Sequence, residues 1–190
     1  MVQQKPKPRT RRVRTKHDET KQTIELLPRN ENQAQYIRAL EESDQVIVFG
    51  PSGTGKTYVV STFAANLYHL KEINKIVITR PHVAVGKDIG YLPGTLEEKA
   101  APWALPVLDV LEKKLGKGVV ETAVKSGNIE VAPLALMRGR SFEDAFIICD
   151  ESQNITFHEL KMLLTRVGEN SKLVLNGDVM QSDLKEADGL

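Results

Sequence analysis

Two groups of residues in this chain carry side chains suited to phosphate chemistry. The first is Gly50-Pro51-Ser52-Gly53-Thr54-Gly55-Lys56-Thr57, which reads G-x-x-x-x-G-K-T. Its glycines let the backbone fold tightly and aim N–H groups inward, and a helix starting here adds partial positive charge at its N-terminus. The result is an anion nest for the α- and β-phosphates of a nucleotide. In such a nest the Lys56 ammonium reaches the β- and γ-phosphates, and the Thr57 hydroxyl ligates Mg²⁺. The flanks fit the motif. Gln45-Val46-Ile47-Val48-Phe49 is a β-branched, apolar run suited to a buried strand, and Tyr58 to Leu70 has helical periodicity. A glycine-rich turn with an incidental lysine would not explain both flanks, so nucleoside triphosphate binding is the reading.

The second group is Asp150-Glu151, directly after the continuous apolar strand Ala145-Phe146-Ile147-Ile148-Cys149. Carboxylates placed there emerge at the C-terminal edge of a sheet, beside the nest. Asp150 is suited to hold Mg²⁺ through its water shell and Glu151 to polarise an attacking water. An Asp-Glu cap for the next helix is the simpler alternative. A further strand, Lys172 to Leu175, ends in Asn176-Gly177-Asp178 with Gln181 just beyond. A polar group there can bridge the nucleophilic water and the γ-phosphate. Upstream, Gln33 sits near a helix start, with Asn30 three residues before it. Its amide offers one donor and one acceptor to an adenine edge; a solvent-facing glutamine is the alternative.

These residues need a scaffold. The strand-like run Lys75 to Thr79, ending at Arg80-Pro81, follows the nest and its helix. That makes a right-handed βαβ unit and a parallel sheet, whose chemistry gathers at C-terminal strand ends. Arg80 lies at such an end and suits a γ-phosphate or nucleic-acid phosphate, or a surface ion pair. Ile24 to Leu27 is read as a short strand, Pro28-Arg29-Asn30 as a capping turn and Asn32 to Glu42 as a helix. His82 to Gly94 is a long, glycine-containing loop bearing Tyr91 and Leu92. Leu96 to Leu115 is helical with Pro102 and Pro106 as points of interruption, and Trp103 is read as a packing residue, with a base-stacking platform as the alternative. Gly116 to Gly127 forms a short helix with turns, Asn128 to Ala132 a strand, and Thr156 to Val167 an amphipathic helix. Arg138-Gly139-Arg140 allows close approach to a phosphate.

Composition bounds the rest. The 190 residues suit one domain, with 41% hydrophobic and 27% charged residues. Net charge is +1, but Lys5, Lys7, Arg9, Arg11, Arg12, Arg14 and Lys16 crowd the start, with no acidic residue from Met1 to His17. Residues 1–22 are therefore expected to be a disordered basic arm, a polyanion-binding segment or a solvated tail, with the ordered domain at 23–190. A single cysteine, Cys149, excludes an internal disulfide and favours a reducing, intracellular setting. It is read as a buried hydrophobe. No apolar run reaches membrane-spanning length, and no signal-peptide core follows the basic start.

Taken together, the nest, Thr79-Arg80-Pro81, Gly90-Tyr91-Leu92-Pro93-Gly94, Met137-Arg138-Gly139-Arg140, Asp150-Glu151-Ser152-Gln153-Asn154, Leu164-Thr165-Arg166 and Asn176-Gly177-Asp178-Val179-Met180-Gln181 stand in an order that resembles the PhoH family. These are the phosphate-starvation-inducible P-loop ATPases of bacteria and their phages. The resemblance covers about Leu27 to Asp183. It implies an α/β P-loop NTPase with a RecA-like parallel sheet, helices on both faces and a core like superfamily-one helicases. Gln33 then matches the Q-motif, Asp150 and Glu151 motif II, and Asp178 with Gln181 motif III. Fusions of a PIN nuclease to PhoH make an RNA substrate plausible; the stretch before Ile24 is too short for such a nuclease. Family sequences continue past the motif III region, whereas this chain ends at Leu190; it is read as a short phage-type version or a truncation, one that would lack the last strand and helix of the core with any C-terminal arginine.

The implied function is ATP binding and Mg²⁺-dependent hydrolysis coupled to RNA or single-stranded DNA, in a bacterial or host cytoplasm and away from membranes. The catalytic residues would be Lys56, Glu151, Asp178 and Gln181. Gly50 to Thr57 and Gln33 would bind nucleotide; Thr57 and Asp150 would hold the metal. With no second RecA-like domain expected, Arg80, Arg138, Arg140 and Arg166 are candidates for an arginine finger or for nucleic-acid contacts, which points to a homo-oligomer such as a hexameric ring. A nucleotide-dependent switch with little hydrolysis is the competing reading, and a small-molecule kinase a third.

Overall fold

The computed structural model describes residues 22–81 and 96–181. The basic arm, the loop carrying Tyr91 and Leu92, and the tail after Gln181 lie outside the described residues.

The elements run α1 (Glu31–Glu42), β1 (Gln45–Phe49), α2 (Lys56–His69), β2 (Lys75–Thr79), α3 (Leu96–Leu115), α4 (Lys117–Lys125), β3 (Ile129–Val131), β4 (Ala145–Cys149), α5 (Phe157–Leu164) and β5 (Lys172–Gly177). The strands form one sheet in the order β1-β5-β4-β2-β3. Every pairing is parallel, so each connection is a crossover that lays a helix or turn on a sheet face.

Alternation along the strands splits the core into two layers. Ile76, Ile78, Phe146, Ile148 and Val174 face α1–α4, meeting Leu40, Val60, Ala64, Leu111 and Val120. Val77, Ala145, Ile147, Cys149, Leu173 and Leu175 face the other way, toward Leu134, Met137, Ile155 and Leu163. β4 is buried at all five positions, which is why it reads as an unbroken apolar run. Cys149 is fully buried, and burial pushes its thiol well above the ordinary range. β1 is an edge strand on which Ile47 and Phe49 remain 54% and 41% exposed.

Three sequence expectations need correction. Ile24 to Leu27 is not a strand. The Ile24 N–H donates to Asn66 Oδ1 at 2.9 Å, while Ile24 and Leu26 pack on the core. Pro102 and Pro106 do not interrupt α3, which contains both. They lie four residues apart on one exposed helix face, where water can take the carbonyls whose donors proline removes. The helix expected over Thr156 to Val167 is shorter. Thr156 caps it, accepting from the Glu159 N–H in a reciprocal capping box, and it ends at Leu164. Trp103 packs against the first core layer.

Candidate nucleotide site

The glycine-rich turn hangs between β1 and α2. Gly53 and Gly55 have φ of +77° and +86°, a region L-residues enter only at a cost. Gly55 forms the left-handed N-cap of α2. The Gly50 N–H donates to the Gly177 carbonyl at 3.2 Å, tying the turn to the end of β5. Lys56 Nζ folds onto the turn, donating to the carbonyls of Gly50 (2.5 Å) and Pro51 (3.0 Å).

Gln33 braces the same turn from α1. Its Nε2 donates to the Thr54 carbonyl at 3.0 Å, and its Oε1 accepts from the Arg29 N–H at 2.9 Å. Asn30 caps α1 by accepting from the Gln33 N–H at 2.9 Å. A backbone donor and a backbone acceptor thus fix which way the amide points.

Asp150 emerges from β4 beside the start of α2, and Thr57 Oγ1 donates to Asp150 Oδ2 at 3.5 Å. Burial raises the Asp150 carboxyl above its ordinary value, and the neighbouring Glu151 charge adds to the rise. A hydrogen bond from the Glu151 backbone, the Arg80 guanidinium and the Thr57 hydroxyl oppose it. Beneath lies Tyr36, whose hydroxyl donates to Asn176 Oδ1 at 2.8 Å inside the core. Its ionisation is pushed up by burial and by the Asp150 charge.

Glu151 adopts φ +54°, an uncommon conformation for a residue with a side chain. A chain of hydrogen bonds starts from its carboxylate. Gln153 Nε2 donates to Glu151 Oε2 at 2.6 Å, and Gln153 Oε1 accepts from the Asp178 N–H at 3.0 Å. Asp178 Oδ2 accepts from the Ser52 N–H in the glycine-rich turn at 3.0 Å, and Gln181 Nε2 donates to Ser52 Oγ at 3.0 Å. Gln153 is the participant whose role sequence reasoning missed. Its adjacency to Asp150-Glu151 was the available signal, but its partner lies 25 residues away.

A cleft of about 280 Å³ opens here, lined by residues of the turn with Asp150, Glu151 and Asp178. The chemistry of its donors suits magnesium. Thr57 and Asp150 offer a hydroxyl and a carboxylate oxygen, hard ligands for a cation that keeps most of its shell from water and phosphate. Among the described residues no group of three or more His, Cys, Asp and Glu side chains could hold a metal.

The four arginines separate. Arg80 lies near enough to Asp150 to act on its ionisation, and Arg138 is exposed. Arg140 forms a two-pronged ion pair with Glu130 of β3, at 2.8 Å for its Nη2, and lies over the Phe142 ring. Arg166 Nη1 donates to the Arg140 carbonyl at 3.0 Å.

A parallel sheet carrying a G-x-x-x-x-G-K-T turn after its first strand, with an Asp-Glu pair at the end of β4, one strand removed across β5, defines a P-loop NTPase of RecA-like build. The family model described as "PhoH-like protein" matches residues 25–190. The chain belongs to the PhoH family. Protein PhoH of Escherichia coli (strain K12) is 41% identical over 168 residues, covering 87% of this chain and 48% of that protein. The PhoH-like protein of Mycobacterium tuberculosis (strain ATCC 25618 / H37Rv) is 45% identical over 159 residues, covering 84% and 45%. That of Bacillus subtilis (strain 168) is 45% identical over 152 residues, covering 80% and 48%. The chain thus spans about half the length of the curated relatives it matches. Among solved structures, the Sulfolobus solfataricus SWI2/SNF2 ATPase core in complex with dsDNA aligns with a TM-score of 0.47 at 14% identity, covering 77% of this chain and 30% of that one. Among the described residues no helix is long and apolar enough to cross a membrane.

Proposed function

We propose that this chain binds ATP with Mg²⁺ and hydrolyses it, and that RNA or single-stranded DNA stimulates the turnover. The observation that carries this reading is the convergence of Lys56, Thr57, Asp150, Glu151 and Asp178 on one cleft at the C-terminal edge of the sheet. The backbone N–H groups of the turn and the N-terminus of α2 bind the phosphates. Lys56 exchanges the carbonyls of Gly50 and Pro51 for phosphate oxygens. Thr57 and Asp150 would hold Mg²⁺, which when bound supplies positive charge to the β- and γ-phosphates. Glu151 orients a water for in-line attack on the γ-phosphorus and accepts its proton; the bond to the bridging oxygen breaks and ADP leaves. Asp178 and Gln181 keep the β5 end in contact with the turn, so occupancy of the γ-phosphate position is felt there. Gln33 exchanges its partners for the adenine edge.

An arginine from a second copy would complete the charge balance, a contribution of about 10³-fold or more where such a finger operates. Arg80 and Arg138 suit this role better than Arg140, which is occupied by Glu130. A homo-oligomer, such as a ring in a bacterial or infected-cell cytoplasm, follows from that requirement.

The test is the ATPase rate of the full chain alone, with RNA and with single-stranded DNA. Stimulation by either supports a nucleic-acid-coupled motor. A flat, very low rate in all three favours a nucleotide-dependent switch. Lys56→Ala should abolish nucleotide binding or turnover. Glu151→Gln should bind ATP and hold it unhydrolysed, and hydrolysis at the wild-type rate would remove Glu151 from its role.

A further inference from the structure

We propose that Gln153 is a positioning residue for hydrolysis. It holds the Glu151 carboxylate in register with the glycine-rich turn through Asp178. The inference rests on Glu151 acting as the water-orienting base.

The geometry is specific. Gln153 is only 3% exposed, yet both ends of its amide are engaged at functional positions. Its Oε1 accepts from a backbone N–H, that of Asp178, and its Nε2 donates to the carboxylate of Glu151. Neither partner can exchange roles, so the amide has one orientation. The next link is equally direct, since the Asp178 carboxylate accepts from the Ser52 N–H. Three bonds therefore connect the base to the turn that binds the phosphates.

The backbone around this link leaves little slack. A Cβ on Gly177 would sit 3.0 Å from the Gln153 nitrogen, so the β5 end and the turn after β4 are in close contact. Glu151 itself is held in a left-handed conformation. With its backbone so constrained, its carboxylate depends on side-chain partners for direction. Gln153 supplies one and ties it to the segment that reports on the turn. Gln153 touches neither nucleotide nor water in this scheme; it acts through Glu151.

Two substitutions separate the bonds. Gln153→Met removes both at nearly constant volume. Gln153→Glu keeps an acceptor for the Asp178 N–H and the side-chain shape, but replaces the donor to Glu151 by a second carboxylate whose like charge opposes it, so it tests the same link with less disturbance of packing. Each is made in the full chain, alone and combined with Glu151→Gln. Single-turnover hydrolysis and the affinity for a fluorescent ATP analogue are then measured. Both single variants should bind nucleotide within about threefold of wild type. They should hydrolyse about 10- to 100-fold more slowly, the loss that follows misplacement of a catalytic group by around an ångström. In the Glu151→Gln background neither should slow hydrolysis further. A wild-type rate in either variant overturns the proposal. So does an equal loss in both backgrounds, or a fall in affinity as large as the fall in rate, since those mark a structural role. Wild-type hydrolysis by Glu151→Gln alone overturns the underlying assignment, and that result is read without any Gln153 variant.

Discussion

Two glycines of the nest share a backbone conformation but not their surroundings, and this difference can be measured. A Cβ at Gly55 would lie 2.9 Å from Gln33 Nε2, whereas one at Gly53 would meet nothing within 4 Å. Alanine at either position incurs the left-handed strain, about 1–2 kcal/mol. Gly55→Ala must also displace the Gln33 amide from Thr54 and Arg29. Two such partly exposed hydrogen bonds contribute together about 1–2 kcal/mol. Gly53→Ala should therefore destabilise by about 1–2 kcal/mol and Gly55→Ala by about 2–4 kcal/mol. For a chain of this size that is a melting-temperature drop of about 2–8 °C against about 4–16 °C. Urea unfolding of the nucleotide-free protein gives the free energies, and a double-mutant cycle with Gln33→Ala isolates the second contribution. In that background Gly55→Ala should fall to the Gly53→Ala value, a coupling of about 1–2 kcal/mol, with no coupling for Gly53→Ala. Additivity of Gly55→Ala and Gln33→Ala within about 0.5 kcal/mol would refute the claim that Gln33 braces the turn.

Asp150→Asn should stabilise the nucleotide-free protein at pH 7 while weakening Mg²⁺-dependent nucleotide binding. The folded-state ionisation is raised, by burial first, so the native state holds the proton to higher pH and stability falls as pH rises from the ordinary carboxylate range through the folded value. The variant should flatten that fall in a melting-temperature series from pH 4 to 8, and a lower melting temperature at pH 7 would count against it. Tyr36→Phe leaves the buried Asn176 Oδ1 without the hydroxyl that donates to it, a loss of about 1–3 kcal/mol in urea unfolding; unchanged stability would show that the pair contributes nothing. Removal of residues 1–21 should weaken binding to single-stranded nucleic acid and make its salt dependence shallower. Eight lysines and arginines are lost with it, so the slope of log K against log salt should fall by at most about 6, and an unchanged slope would acquit the arm.

What the sequence made legible was local. The nest declares itself because glycine spacing, lysine and hydroxyl must fall within eight consecutive residues. Asp150-Glu151 is equally readable because five apolar residues directly precede it. Ile24 to Leu27 misled because the alternation was real: Ile24 and Leu26 face the core while Leu27 is 69% exposed. Its backbone donor goes to a side chain on α2, which no local pattern shows. Gln153 and Arg140 lay beyond reach for a related reason. Their side chains are set by Asp178 and by Glu130, partners that only the folded sheet brings near. An arginine beside a glycine looks available for phosphate until its carboxylate is found on another strand.

The strand order also fixes when the site can come into existence. β1 carries the nest, yet its one strand partner among the described residues is β5, with Val46 opposite Val174. After Val46, 128 further residues (174 − 46) must be synthesised before that pairing can form. At roughly 5–20 residues per second the wait is roughly 6–26 s. During it β1 presents an unpaired edge and the apolar side chains of Ile47 and Phe49. The pairs β2–β3 and β2–β4 at the other side of the sheet can close earlier, so the phosphate cradle is among the last parts of the sheet to assemble. The bond from the Gly50 N–H to Gly177 and that from the Ser52 N–H to Asp178 therefore form only once β5 has been made.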